Sequence, residues 1–416
     1  MGEAFEELPD PRDRTRITYP TRYLVWMALL LFVFRLGARR RLDYALRSET
    51  AVRNLNRLAG TSGLPLARSQ TVANLVKGLP FKAVRQLPAH IVRRLRRQRL
   101  LDKFRLQETY HRIAIDATGL FSFPHRHCPH CQTTHHSGGG TTYQHSVLEA
   151  RLLLGDAAAI SIDTEFIQNT DGREGQDHEL AAFQRLIRRL RDRFPRLPIC
   201  LLLDAEYLCE AVMELCEAHR LRYIITFKEG RMPERWREFQ NLLQLAPDNK
   251  LRVQQPDGTY RLYRWIPDIT HKGHSFNAVH MIEIQPDGQT TRFAWATNLK
   301  IDARKVQELC LRGGRARWTI ENKGFGRQKT RGFGLQHPYC EDWQGARNFY
   351  ILLQLADAIS QLLEASNLLD QQPEELFGSR IAFAARLLEA WRTWIPPGAA
   401  LREVRRGHYQ VRIRGP

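Results

Sequence analysis

The sequence predicts an α/β fold: a mixed sheet flanked by helices, with a β-rich insertion and a helical region ahead of the sheet. Three observations carry that expectation. Residues 112–120 (RIAIDATGL), 146–154 and 158–167 are apolar-rich runs of strand length, the last two joined by a turn at Gly155-Asp156. Residues 176–194, 197–203 (LPICLLL), 207–219 and 221–227 (LRYIITF) then read as helix, strand, helix, strand, and the unbroken apolar run of LPICLLL is typical of a strand buried on both faces. Residues 230–298 hold alternating segments at 260–266, 278–284 and 291–297, punctuated by Pro256-Asp257-Gly258 and Pro286-Asp287-Gly288. The first strand group is expected to be antiparallel and the second parallel.

Taken in chain order, residues 1–106 read as helical, with helix starts at Ser48 and Ser69. The run at 23–34 (YLVWMALLLFVF) is 12 residues long and closed by Arg22 and Arg35. A membrane span needs about 20 apolar residues, so a buried core helix is expected there. Residues 81–106 are amphipathic, with Arg93, Arg94, Arg96, Arg97 and Arg99 crowded on one face. A solvated face and a DNA-facing surface are both open readings. The expected division is an N-terminal helical, DNA-binding region (1–106), the first part of the core with a Cys/His hairpin (107–229), the β-rich insertion (230–300), the completion of the core (301–370) and a basic tail (371–416), irregular from Pro396.

The 416 residues are 43% hydrophobic and 9% aromatic, which excludes a disordered chain. Lys and Arg number 63 against 44 Asp and Glu, a net charge of +19 spread along the chain. That excess points to a polyanion, because each cation placed on a phosphate releases condensed counterions. A membrane surface is the competing partner. The acidic start, 1–10, is unlike a secretory signal. The seven cysteines are an odd number, five of them (Cys200, Cys209, Cys216, Cys310, Cys340) scattered through apolar segments, as expected in a reduced, cytoplasmic compartment. No GxxxxGK[ST] loop is present, so nucleotide hydrolysis is not expected.

Asp116 interrupts an apolar strand and Asp204 ends another. Either alone is unremarkable, but ionised carboxylates are costly to bury unless paired or metal-bound. Two on neighbouring strands suit a hard cation such as Mg²⁺. Glu321 is the best third acid, in a predicted helix at 315–328 flanked by Arg312, Arg315, Arg317, Lys323, Arg327, Lys329 and Arg331. Other acids read as structural or supporting: Asp163 and Glu165 alternate along one strand, and Glu174, Asp177 and Glu179 open a helix, where negative charge suits the dipole.

IDATGL, LLLDAEYL and RWTIENKGFGRQKTRG together resemble the three acid-bearing motifs of bacterial insertion-sequence transposases of the DDE class. The intervals of 88 and 117 residues between the acids are similar to those of the IS-four type, which carries a β-rich insertion before its final glutamate. That branch has a signature of Tyr, two residues, Arg, three residues, Glu, six residues, Lys. Arg317 and Glu321 match it, Gly314 stands at the Tyr position, and Gln328 at the Lys position with Lys329 one residue late. The likeness covers about residues 105–365, including the closing helical stretch 332–363, with a looser likeness at Asp10-Pro11-Arg12. It implies a ribonuclease-H-like core in which Asp116, Asp204 and Glu321 hold two Mg²⁺ or Mn²⁺ ions about 4 Å apart for in-line phosphoryl transfer on DNA. It further implies that Arg317, Lys329 and Arg331 meet DNA phosphates, and that a homodimer forms on paired element ends in a bacterial, nucleoid-associated setting. Trp318 either stacks on a displaced base or is a core tryptophan.

Between the first two strands lies HRHCPHCQTTHH, residues 125–136. Cys128 and Cys131 form a Cys-x-x-Cys with histidines at 125, 127, 130, 135 and 136, the ligand types of tetrahedral Zn²⁺. The expected structural zinc set is Cys128, Cys131, His127 and His136, with His135 as rival; a redox pair or a plain hairpin with free thiols are the alternatives. The function expected is DNA transposition, that is cleavage and strand transfer on double-stranded DNA, element ends and target. A metal-dependent nuclease without strand transfer and an inactive DNA-binding derivative are the alternatives.

Overall fold

The computed structural model describes residues 1–169, 176–405 and 411–414. Ten strands form one mixed sheet: β1 (His111–Phe123), β2 (Gln132–His135), β3 (Thr141–Leu154), β4 (Ala158–Ile167), β5 (Ile199–Leu203), β6 (Arg222–Thr226), β7 (Lys250–Gln254), β8 (Tyr260–His271), β9 (His274–Ile284) and β10 (Thr290–Thr297). Their order is β2-β3-β1-β5-β6-β10-β9-β8-β7, with β4 on β3. The pairs β1–β3 and β3–β4 are antiparallel, whereas β1–β5 and β5–β6 are parallel. This is a ribonuclease-H-like mixed sheet with flanking helices. The β-rich stretch does not stack elsewhere: β10 pairs with β6 and extends the same sheet outward.

Side-chain alternation divides the core between the two faces of the sheet. Ala114, Cys200 and Leu202 face one cluster, with the helices Thr21–Val33 and Trp343–Ala365. Ile113, Ile115, Leu201 and Leu203 face the other, with the helix Glu179–Arg193. That helix buries Ala182, Phe183, Leu186, Ile187 and Leu190, a single stripe at helical spacing. All five residues of β5 are buried, as expected of a strand flanked by β1 and β6 and covered on both faces. The apolar run after Arg22 is a buried core helix, and among the described residues no helix is long and apolar enough to cross a membrane.

Several boundaries differ from those predicted. The stretch 81–106 is broken into Phe81–Val84, Leu87–Arg97 and a short 3-10 turn at Asp102–Phe104. Residues beyond Pro396 are not all irregular, since Gly398–Arg405 is helical, and Arg380–Thr393 is a further helix. The single helix expected at 315–328 is instead a loosened one. Leu309–Gly314 and Ile320–Phe325 wind as π turns around a 3-10 turn at Arg315–Trp318, before regular helix at Gly326–Thr330. Over-wound and under-wound turns of this kind recur at functional sites.

That loosened segment is held down by a buried polar network. Arg327 donates to Asp357 (2.8 Å) and forks onto both oxygens of Glu364 (2.7 Å each). Gln328 donates to Gln354 and Asp357, and Arg151 reaches Gln354 and Asp357 from β3. Gly324 lets Arg151 pass: a Cβ there would sit 2.9 Å from the guanidinium Nε.

Candidate active site

Asp116 stands on β1 where its neighbour β5 ends. Ala114 lies across from Leu202 in the parallel register, and continuing that register two residues brings Asp204 alongside Asp116. The apolar β5 ends at Leu203, so Asp204 falls on the turn at the carboxyl edge of the sheet, where its Oδ1 accepts from the Ala205 amide at 2.7 Å. The loosened segment crosses over these strands and brings Arg317 and Glu321, one turn apart, to Asp116. Arg317, only 7% exposed, donates from a guanidinium nitrogen to Asp116 Oδ2 at 3.1 Å. Burial pushes the Asp116 carboxyl up to about 6; Arg317 opposes the rise and the neighbouring Glu321 adds to it.

Three acids and one arginine on a half-buried ledge hold net negative charge. Asp116, Asp204 and Glu321 are all partly exposed, so the carboxylates are reachable from solvent. Hard oxygen donors from a sheet edge and a facing helix fit a divalent cation of the magnesium class. A carboxyl raised by burial beside another acid is the electrostatic sign of a site that a cation would relieve.

Around the acids, sequence reasoning missed Tyr207. It is 3% exposed and donates to Glu179; burial first, then Glu179, Asp116 and Asp204 hold its hydroxyl well above its ordinary range. The available signal was its place three residues after Asp204. Trp318 is 57% exposed with the Arg317 guanidinium 5.0 Å from its ring, so the core-tryptophan reading is excluded. Lys329 and Arg331 are exposed. Gln328, at the signature's Lys position, is fully buried in the polar network, which has no room for a cation aimed at DNA. Gly314, at the signature's Tyr position, packs so tightly on Trp295 that a Cβ would lie 2.2 Å from the indole. The ring volume at this place comes from β10 instead.

Of the other acids, Asp163, Glu165 and Asp177 are held in ion pairs and Glu179 accepts from Tyr207. Arg189 bridges Asp163 (2.9 Å) and Glu165 (2.7 Å), Arg193 holds Asp163 (3.1 Å), and Arg185 joins Glu165 and Asp177 (2.7 Å each). Glu174 lies outside the described residues.

The Cys/His hairpin brings its two cysteines together, with His145 where His136 was expected. The Cys128 and Cys131 sulfurs are 3.8 Å apart, and each is 3.4 Å from Nε2 of His145. His127, Cys128 and His145 present ligand atoms within 4.8 Å of one another. His136 is not in this group: its Nε2 is 3.0 Å from the Thr142 hydroxyl, and His135 faces Thr141. The register of β2 with β3 explains the exchange, since Gln132 pairs with Gln144 and so the next residues outward, Cys131 and His145, meet.

With this geometry in place, the sequence matches the family of the transposase DDE domain over residues 112–356, a stretch containing all three acids. The chain belongs to the DDE transposases. No curated protein matches it. Members of this family act on DNA and generally use divalent metal ions, which fits the basic composition of this transposase.

Proposed function

We propose that this transposase cuts DNA at the ends of an insertion sequence by in-line phosphoryl transfer and joins the freed 3′-hydroxyl to target DNA, with Asp116, Asp204 and Glu321 as its catalytic acids. The observation that carries the reading is Asp116 on β1 with Arg317 and Glu321 brought to it by the loosened helix, and Asp204 one residue past the end of the neighbouring parallel β5. Two Mg²⁺ or Mn²⁺ ions at these carboxylates would supply activation of the attacking oxygen and charge neutralisation at the leaving oxygen. Asp116 pairs with Arg317 and neighbours Glu321, and its ionised form is the one that would hold a metal ion. Arg317 holds Asp116 in the free protein and is placed to neutralise a phosphate beside it. Trp318, exposed on the same turn, offers a face on which a displaced base stacks. Lys329 and Arg331 extend the cationic surface along the flanking strand of DNA.

A second basic surface supports contact with a long duplex. Arg93, Arg96 and Arg97 line one groove with Arg193 and Arg196. We assign residues 1–106 to DNA binding on this basis, and a homodimer on paired ends as the working assembly.

The test is cleavage of DNA carrying the flanking element ends by the full chain with Mg²⁺ or Mn²⁺, comparing wild type with Asp204→Ala and Glu321→Ala. The reading expects metal-dependent nicks with 3′-hydroxyl ends and joined products, both absent in the two variants while their melting temperatures stay near wild type. Robust cutting by either variant removes the acid assignment. Cutting without joined products, when target DNA is supplied, makes the chain a nuclease.

A further inference from the structure

We propose that the hairpin beyond the catalytic strand is a structural zinc site whose ligands are Cys128, Cys131, His145 and His127, and that the ion clamps this hairpin onto the first turn of the Trp343–Ala365 helix. Three of the four ligands have the dimensions of one face of a tetrahedron without its centre. Zinc bonds of about 2.3 Å to sulfur and 2.0–2.1 Å to nitrogen imply tetrahedral edges of about 3.8 Å for S···S and about 3.6 Å for S···N. The distances are 3.8 Å between the two sulfurs and 3.4 Å from each to His145 Nε2. A disulfide would need the sulfurs at about 2.05 Å. The fourth ligand is His127, exposed, with a ring nitrogen within 4.8 Å of both the Cys128 sulfur and the His145 nitrogen but farther from Cys131, so its ring must turn inward to complete the set.

A further observation points to an ion. His145 is completely buried, and among the described residues its Nδ1 has no hydrogen-bond partner and its Nε2 meets only the two thiols. Burying an imidazole against such weak partners is unfavourable, and a metal bond offsets that cost. On binding, Zn²⁺ accepts lone pairs from two thiolates and two neutral imidazoles, and the two thiol protons pass to solvent.

The consequence is mechanical. The His145 ring stacks on Trp343 with centroids 3.9 Å apart, and Phe121 of β1 packs on His145 at 5.3 Å. Trp343 opens the helix that also bears Gln354, Asp357 and Glu364, the partners of the segment with Glu321. Zinc would therefore fasten β1 and β3 to the same helix that holds the third acid.

The experiment is metal analysis of the full chain, purified under reducing conditions without chelator, beside Cys128→Ser, Cys131→Ser, His145→Ala and His136→Ala. One zinc per chain is expected in wild type and in His136→Ala, with at least a tenfold loss in the three ligand variants. Cobalt replacement in wild type keeps the test valid if a variant fails to fold: a sulfur-to-cobalt charge-transfer band is expected, and its absence overturns the proposal. Retention of full zinc by Cys128→Ser, or a loss in His136→Ala equal to that in His145→Ala, also overturns it. Chelation of zinc from wild type in magnesium-free buffer is expected to lower the melting temperature by several degrees; an unchanged midpoint removes the clamping role. None of these readouts depends on DNA cleavage.

Discussion

Replacing Arg327 by Met tests whether the buried network holds the loosened helix in place. Methionine keeps most of the aliphatic volume, so the change isolates the guanidinium. Arg327 makes three charge-assisted hydrogen bonds, one to Asp357 and two to Glu364, with side chains only 6%, 1% and 6% exposed respectively. Removing one partner of a buried ion pair costs about 3–5 kcal/mol, because the other charge is left uncompensated. Here the compensation is partial. Asp357 keeps Gln328, Gln361 and Arg151, and Glu364 keeps Arg380 at 2.8 Å. The lower end, about 3 kcal/mol, is therefore expected in urea unfolding of the full chain. A pH signature accompanies it. Burial alone would raise the Glu364 carboxyl, but hydrogen bonds from Arg327 and Arg380 hold it below its ordinary value. A carboxylate so depressed contributes stability above its unfolded pKa, about 4.3, and loses it as pH falls through the lower folded value. The wild type should thus lose stability on acidification more steeply than Arg327→Met. A cost below about 1 kcal/mol at neutral pH, with unchanged acid slope, would refute the reasoning.

Asp116→Asn should stabilise the metal-free protein while abolishing cleavage. Its carboxyl lies near 6 in the fold, so its favourable protonated state holds below about 4 and is lost as pH rises through 6. By melting without divalent ions, the variant should exceed wild type by about 2 kcal/mol at pH 7.5 and match it near pH 4; a variant no more stable than wild type at pH 7.5 refutes this. Gly314→Ala drives a Cβ to within 2.2 Å of the Trp295 indole and should cost about 1–3 kcal/mol in urea unfolding, whereas an open position such as Gly230 should tolerate the same change. Trp318→Ala, at a 57% exposed position, should alter stability by less than about 0.5 kcal/mol. It should nonetheless weaken binding of DNA with unpaired bases by about 1–3 kcal/mol in a fluorescence titration, and equal affinities would dismiss the stacking role.

The acids were legible because burial makes a lone carboxylate in RIAIDATGL or LPICLLLD conspicuous, and because strand and helix periods are local properties of the chain. The opposite case is His145. Nothing near it in sequence marks it as a ligand, and His136, much closer to Cys131 along the chain, was the natural candidate. Strand pairing reversed that order, since antiparallel register places residue 145 across from residue 131 and turns His136 toward Thr142. The loosened helix was equally hidden. Its local propensities are those of a plain helix, and the first π turn ends where Gly313 and Gly314 press on Ile224 and Trp295.

What the sequence determined by itself was eight of the ten strands, the helices with a clear apolar stripe, the basic composition and the candidacy of the three acids; the short strands Gln132–His135 and Lys250–Gln254 were not read. Those depend on hydrophobic period and charge, which neighbours a few residues apart decide. Only the tertiary structure decided that Arg317 faces Asp116, that Gln328 is buried and Lys329 is not, and which histidine joins the two cysteines. Each of these rests on contacts between segments distant in the chain, where packing and register, not local preference, choose the partner.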